Sequence, residues 1–235
     1  MATRTLSQNV NQAISDFDSI KQAIIENGGE VPDGTPTSKY AELIEEISSD
    51  LSGFFDGTST VIKIPKNATK IRDYCFYAYD EENEYYKSLT SVSMPDSVTS
   101  IGKDAFGGCQ NLVSAPLPSS LTTIGDSAFY NCNKLILTSL PSGLTTIGGH
   151  AFDLCRSITI KSIPSGVTSI GVNSFLRCDG ITEITFEGKP DYIHSATFSC
   201  PNLTIVRVPW SQGEVSGAPW GASSATIVYN YTATE

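Results

Sequence analysis

Charge is scarce in this chain of 235 residues: Asp, Glu, Lys and Arg make up only 17% of it, and 15 basic residues face 25 acidic ones. Phosphate binding needs clustered Lys and Arg, so the composition argues against a nucleic-acid partner. A net charge of −10 argues equally against an anionic membrane surface. No apolar run approaches the ~20 residues that would cross a bilayer, so no membrane insertion is expected. Met1 to Asn11 is polar, without a basic region followed by an apolar stretch, and no secretory signal is visible there. Histidine is nearly missing: His150 and His194 are the only two. No Cys-x-x-Cys pair is present, and no zinc site is expected. No two carboxylates recur at a fixed spacing, so no glycosidase pair is indicated. Nothing points to a metal or a cofactor.

What is present is a period. Ile101, Ile124, Ile147, Ile170 and Ile193 stand 23 residues apart. Phe106, Phe129, Phe152, Phe175 and Phe198 keep the same step, as do Pro95, Pro118, Pro141 and Pro164. Cys109, Cys132, Cys155 and Cys178 follow it too. An earlier copy starts at Pro65, with Ile71 and Phe76, and is separated from the next by an insertion around Asp80 to Tyr86. A fixed period of this length means a solenoid, in which each unit buries its apolar face against its neighbours.

Within the unit Pro118 to Leu140, Pro118-Ser119-Ser120 turns the chain, and Leu121, Ile124, Ala128, Phe129, Cys132 and Leu135 form the apolar set. Gly125 marks a place where φ > 0 is expected. One short strand fits per unit, at its Leu-to-Pro end, and Asp126 to Asn131 reads as a helical turn or 3₁₀ piece. Ladders of Phe, Ile and Leu should run along the core. The repeated cysteines would stack in line about 4.8 Å apart. That exceeds the ~3.8 Å between Cβ atoms that a disulfide prefers, so they read as buried free thiols. The first and last copies are atypical, with Arg72 and His194 at the glycine position and Cys200 one residue early. Capping units behave this way. Beyond them, Pro209-Trp210, Pro219-Trp220-Gly221 and the strand-like Ala225 to Tyr229 are suited to covering an open sheet edge.

Residues 1–50 lie outside the repeat. Leu6, Val10, Ala13, Phe17, Ile20 and Ile24 form a helical stripe ended by Asn27-Gly28-Gly29. Thr37 or Ser38 can cap a second helix carrying Tyr40, Leu43, Ile44 and Ile47. A helical hairpin capping the solenoid is expected, and with it a monomer, an oligomer being open through residues 1–27.

The pattern Pro-x-x-Leu-Thr-x-Ile-Gly-x-x-Ala-Phe-x-x-Cys-x-x-Leu resembles the BspA-type leucine-rich repeats of bacterial proteins across about residues 61–209. The resemblance implies an α/β leucine-rich-repeat solenoid with short parallel strands on one face, and a binding role, often at bacterial surfaces. Ala115, Thr138 and Lys161 stand where Val92, Ile184 and Val206 are apolar, so the pattern does not fix strand register in the middle units. The stretch from Ile24 to Ile47 and the Val-Pro-Trp-Ser…Ala-Pro-Trp-Gly-Ala ending are similar to flanks of phage and prophage tail-associated proteins.

The chain then divides into a cap or docking element (1–50), a solenoid of about six units (51–209) and a C-terminal cap (210–235). The expected function is non-enzymatic: recognition of a protein or glycan at a cell surface through the solenoid face, as a phage tail component or a secreted adhesin. A glycan-acting enzyme is the remaining alternative. The candidate surface on the strand face is Thr90, Ser91, Ser93, Ser114, Thr159, Ser162, Thr182, Glu183, Thr185, Thr204 and Arg207. A second candidate is the insertion, where Tyr85 and Tyr86 join Tyr77 and Tyr79 among acidic residues.

Overall fold

The computed structural model describes residues 60–64, 66, 68–78 and 86–232. The helical hairpin expected over 1–50 and the insertion from Tyr79 to Tyr85 lie outside these. The described chain winds as a solenoid with twelve short strands: β1 (Val61–Lys63), β2 (Lys70–Ile71), β3 (Ser91–Ser93), β4 (Ser100–Ile101), β5 (Thr123–Ile124), β6 (Thr146–Ile147), β7 (Ser162–Ile163), β8 (Ser169–Ile170), β9 (Glu183–Phe186), β10 (Tyr192–Ile193), β11 (Ile205–Arg207) and β12 (Thr226–Val228). All pairings are parallel.

Two strands per turn are seen where the sequence suggested one. The Leu-to-Pro strand is present in most turns, but the isoleucine segment is a strand as well. In the four middle strands the residue before the Ile is Thr or Ser, with Lys70 and Tyr192 in the end strands, and this segment makes a six-stranded sheet in the order β2-β4-β5-β6-β8-β10. Ile71, Ile101, Ile124, Ile147, Ile170 and Ile193 pair residue on residue across it.

The stretch after each isoleucine is not helical. Ser127, Phe129 and Asn131 donate their N–H groups to Gly149, Ala151 and Asp153 of the next turn, each at 2.8 Å. The residues between them bond inside their own turn, as Tyr130 does to Ser127 at 2.9 Å. This alternation needs the backbone to reverse, and Ser127 (φ 53°) and Asn131 (φ 57°) lie in the left-handed region, as do His150 and Leu154 one unit on. Among the described residues the only helical piece is one 3₁₀ turn at Tyr86 to Ser88, so the class there is an all-β solenoid rather than α/β. Positive φ falls on these residues rather than on the repeat glycine. Gly125 is required for another reason: a Cβ there would lie 2.8 Å from the carbonyl carbon of Gly102 and 2.9 Å from the Lys103 nitrogen. Only a glycine lets successive turns approach that closely.

The core is a set of ladders. Phe76, Phe106, Phe129, Phe152, Phe175 and Phe198 stack with centroids 5.1 to 5.5 Å apart. Beside them, Cys109, Cys132, Cys155, Cys178 and Cys200 are buried and unpaired. Each thiol donates to the carbonyl of a phenylalanine in the preceding turn, as Cys132 does to Phe106 at 3.1 Å and Cys200 to Phe175 at 2.8 Å. Cys200, one residue early in sequence, therefore keeps its place in the ladder. Burial pushes the Cys109 thiol up to about 12. Cys75, in the first unit, is exposed and stands apart from the ladder. At the other end the phenylalanine stack meets Phe186 edge-on, and Trp210 and Trp220 close over Phe186. Trp220 is fully buried and donates its Nε1–H to Ser216 O at 2.8 Å.

The second sheet is interrupted. At its start β1 pairs β3, and a single bridge joins Ser91 to Ser114. At its end β7, β9, β11 and β12 form a four-stranded sheet. The gap follows the apolar pattern. In Leu89-x-x-Val92, Ile181-x-x-Ile184 and Leu203-x-x-Val206 the buried residue comes three positions on. In the turns from Leu135 and Ile158 it comes two positions on, at Leu137 and Ile160, while Thr138 and Lys161 are exposed. A one-residue shift reverses which side chains face inward, and the turn from Ile158 recovers the register only at Ser162 and Ile163, which pair with Thr185 and Phe186. Pro116 adds a residue without an N–H in the turn before.

Candidate binding surface

Strand alternation on the interrupted sheet turns Val92, Ile184 and Val206 into the core. Their neighbours Thr90, Ser91, Ser93, Ser114, Thr159, Ser162, Thr182, Glu183, Thr185, Thr204 and Arg207 are left wholly or partly exposed. The gap divides them. Thr90, Ser91, Ser93 and Ser114 lie on the first side, and the remaining seven lie on or beside the four-stranded sheet.

These residues are not equivalent. The hydroxyls of Thr90 and Thr204 tie turns together, donating to Thr60 O at 2.7 Å and Thr182 O at 3.0 Å. Arg207 and Glu183 form an ion pair across adjacent strands, Nη1 to Oε2 at 2.8 Å. That hydrogen bond, and then the charge of Arg207, hold the Glu183 carboxyl below the usual glutamate range. The Arg207 guanidinium also lies 5.6 Å from the centre of the Tyr231 ring. An oriented arginine flanked by a carboxylate and an aromatic ring is a compact recognition element, and the spacing pattern gave no sign of Tyr231. Tyr86, proposed for a surface cluster, packs its ring edge-on against Phe76 at 5.5 Å and is only partly exposed. It belongs to the core end rather than to an open surface, while Tyr85 lies outside the described residues.

The gap itself is a cleft of about 430 Å³. Ser114 lines it together with Pro116, Leu117, Ile136, Leu137, Thr138, Ser139, Leu140 and Pro141. Ile136 is 59% exposed and Val113, one turn earlier, 38%. Both stand where Thr90, Thr159, Thr182 and Thr204 are polar, and that substitution was readable in the sequence as an apolar residue at an outward position.

The opposite face is uniform over its four middle strands, with Lys70 and the exposed Tyr192 at its ends. Thr99, Thr122, Thr145 and Thr168 each donate a hydroxyl to the carbonyl one turn back, at 2.9 to 3.3 Å. Ser100, Thr123, Thr146 and Ser169 present a row of small polar groups beside them. His150, half-buried, bonds Asp153 through Nδ1 at 2.9 Å, and the other carboxylate oxygen of Asp153 has no partner. His194 accepts from the Ala196 N–H through Nδ1 at 3.1 Å. The two histidines thus have separate local partners. Among the described residues no three His, Cys, Asp or Glu side chains come together to hold a metal, and no helix is long and apolar enough to cross a membrane.

A parallel solenoid of 23-residue turns with phenylalanine and cysteine ladders defines the class as a leucine-rich-repeat protein. The repeat pattern matches the BspA type leucine rich repeat region in six copies over residues 81–204, and the chain belongs to that family. Its fold is similar to that of a leucine-rich repeat protein from Bacteroides ovatus, at 27% identity and a TM-score of 0.52, covering 63% of this chain and 39% of that one. It is similar to the Treponema leucine rich repeat protein TpLRR from T. pallidum, at 23% identity and a TM-score of 0.50 over 74% of this chain and 70% of that one. It is also similar to the pneumococcal vaccine antigen PcpA, at 22% identity and a TM-score of 0.53 over 74% and 42%. The chain therefore spans about two fifths of the length of the Bacteroides ovatus protein and of PcpA. No curated protein matches it.

Proposed function

We propose that this chain is a non-enzymatic binding protein that recognises a protein or glycan at a cell surface through the interrupted face of its solenoid. The observation that carries this reading is the unequal chemistry of the two faces. Recognition needs groups that differ from place to place. Between Lys70 and Tyr192 at its ends, the isoleucine face repeats one small hydroxyl from turn to turn. The interrupted face holds the Glu183–Arg207–Tyr231 group and the apolar cleft. Arginine and tyrosine are the residue types that most often dominate protein interfaces. Membership of the BspA-type family and likeness to bacterial repeat proteins support the same direction.

Binding of the full chain to arrays of bacterial glycans and to intact bacteria tests the proposal. Signal is expected, and Arg207→Ala should weaken it several-fold. No binding in either format sinks the reading, and release of new reducing ends from the array would favour a glycan-acting enzyme instead. Two settings fit a surface binder: a secreted adhesin and a phage tail component. The tryptophan-rich ending no longer favours the second, because Trp210 and Trp220 have a structural task in covering the core. The tail reading now rests on the stretch from Ile24 to Ile47, outside the described residues.

A further inference from the structure

The break in the second sheet leaves peptide groups without partners. Ile136 N–H still reaches Val113 O at 2.9 Å, and Leu137 O still accepts from Thr159 at 2.9 Å. Between these bonds the N–H groups of Leu137, Thr138, Ser139 and Leu140 make no hydrogen bond to the described residues, and neither do those of Ala115 and Leu117 across the cleft. Unpaired backbone N–H groups of this kind can pair with another extended chain. The same place carries Ile136, the most exposed large apolar side chain among the described residues, with Leu117 and Leu140 lining the cleft beneath it. No charged side chain lines the cleft. A charged occupant would lose water there without gaining a counter-charge.

We infer that this cleft is a docking site for an uncharged, extended peptide segment of a protein partner, held by main-chain hydrogen bonds to residues 137–140 and by branched aliphatic side chains against Ile136 and Leu117. Main-chain pairing supplies the unmet donors, and alternate side chains supply the fit. A cleft of 430 Å³ falls within the range of ligand sites. The inference rests on the binding role proposed above and narrows its ligand to a peptide at one place.

The test is amide NMR on the full chain, titrated with acetyl-Thr-Val-Thr-Val-Thr-amide and, as a control, acetyl-Glu-Val-Glu-Val-Glu-amide. The first should give saturable shifts at the amides of Leu137, Thr138, Ser139 and Leu140, and slow their exchange with solvent. Ile136→Lys should weaken binding about tenfold or more, and Ile136→Val should keep it. Because Ile136 is exposed, the Lys variant should leave the rest of the spectrum in place, which checks folding. Absent shifts, equal binding of the acidic peptide, or shifts confined to β12 would overturn the inference. So would displacement of the same amides by a neutral glycan instead of the peptide. The peptide titration requires no cell surface. Peptide binding with silent arrays would leave this site standing and remove the surface role, and array binding that Ile136→Lys does not touch, with no peptide shifts, would do the reverse.

Discussion

The two sheets of this solenoid are built from the same repeat yet obey it to different degrees. The isoleucine sheet runs unbroken through six strands, while the Leu-to-Pro sheet stops after β3 and resumes at β7. Both feed the same core, so core pressure alone does not explain the difference. Close approach does. On the isoleucine side each turn is pressed on the last at glycines such as Gly125, where even a methyl group would meet backbone at 2.8 Å. On the other side the packing is as tight where the sheet is formed, a Cβ on Gly188 lying 2.6 Å from Ser165 O, but at Gly143, beside the gap, the nearest atom is 3.6 Å away. Where the turns are in contact, sequence cannot drift; where they are looser, a one-residue shift of the buried position is tolerated and creates a surface feature.

Alkali should expose the shared core most strongly. The ladder thiols have raised pKa values through burial, so the unfolded chain loses protons first as pH climbs. Their contribution is complete below the ordinary thiol value of 9.0 and declines from there up to the folded value, about 12 for Cys109. The loss is about 1.4 kcal/mol per pH unit for each thiol that ionises only on unfolding. Thermal melts should be flat from neutral pH to about pH 9 and show a steep fall in Tm above it, which Cys132→Ala makes shallower; a slope unchanged by that variant would remove the thiols from the account. At fixed neutral pH, fresh protein should show one fast thiol, Cys75, and five slow ones.

Truncating the phenylalanine stack comes next. Phe129→Ala or Phe152→Ala should cost ~3–5 kcal/mol in denaturant unfolding. A loss below ~1 kcal/mol would mean that the ladder is not what holds adjacent turns.

The glycine contrast is the direct test of the close-approach explanation. Gly125→Ala should destabilise by roughly 2 kcal/mol or more, because main chain must move, whereas Gly143→Ala should fall within about 1 kcal/mol of the parent. Equal effects would break the comparison between the two sides.

The smallest effect should come from repairing the gap. In Leu137→Ser with Thr138→Val, the buried position returns to the one used by Val92 and Ile184. Stability should change by about 1 kcal/mol or less, but the amides of residues 137–140 should gain protection from exchange as the sheet closes. If they stay unprotected, Pro116 rather than register sets the break.

The period, the ladders and the free thiols were legible because each depends on one residue recurring at a fixed step. The second strand was missed because two residues such as Thr123-Ile124 are too short to display alternation. The helical expectation for Asp126 to Asn131 failed because left-handed residues at Ser127 and Asn131 carry no sequence signature beyond a tolerance for Asn. The candidate surface was half legible. The outward Ser and Thr positions follow from alternation, but the Arg207–Tyr231 contact joins β11 to a segment beyond the repeat, and no period could connect them. The cleft was signalled by Thr138 and Ile136, a polar residue at a core position beside an apolar one at a surface position.

The hydrogen bonds between turns have one further consequence, for how such a chain can change its length. Ser127 bonds to Gly149, Phe129 to Ala151 and Asn131 to Asp153, and every middle turn offers the same groups at the same height. Excising one whole 23-residue period, or duplicating one, leaves each donor facing an acceptor of the same kind. Seven extra residues separate the first copy from the second, yet Ile71 still pairs with Ile101, so the register is kept across them. Unequal recombination between copies can therefore lengthen or shorten the solenoid in steps of one turn, about 4.8 Å each, while Trp210 and Trp220 still close its C-terminal end.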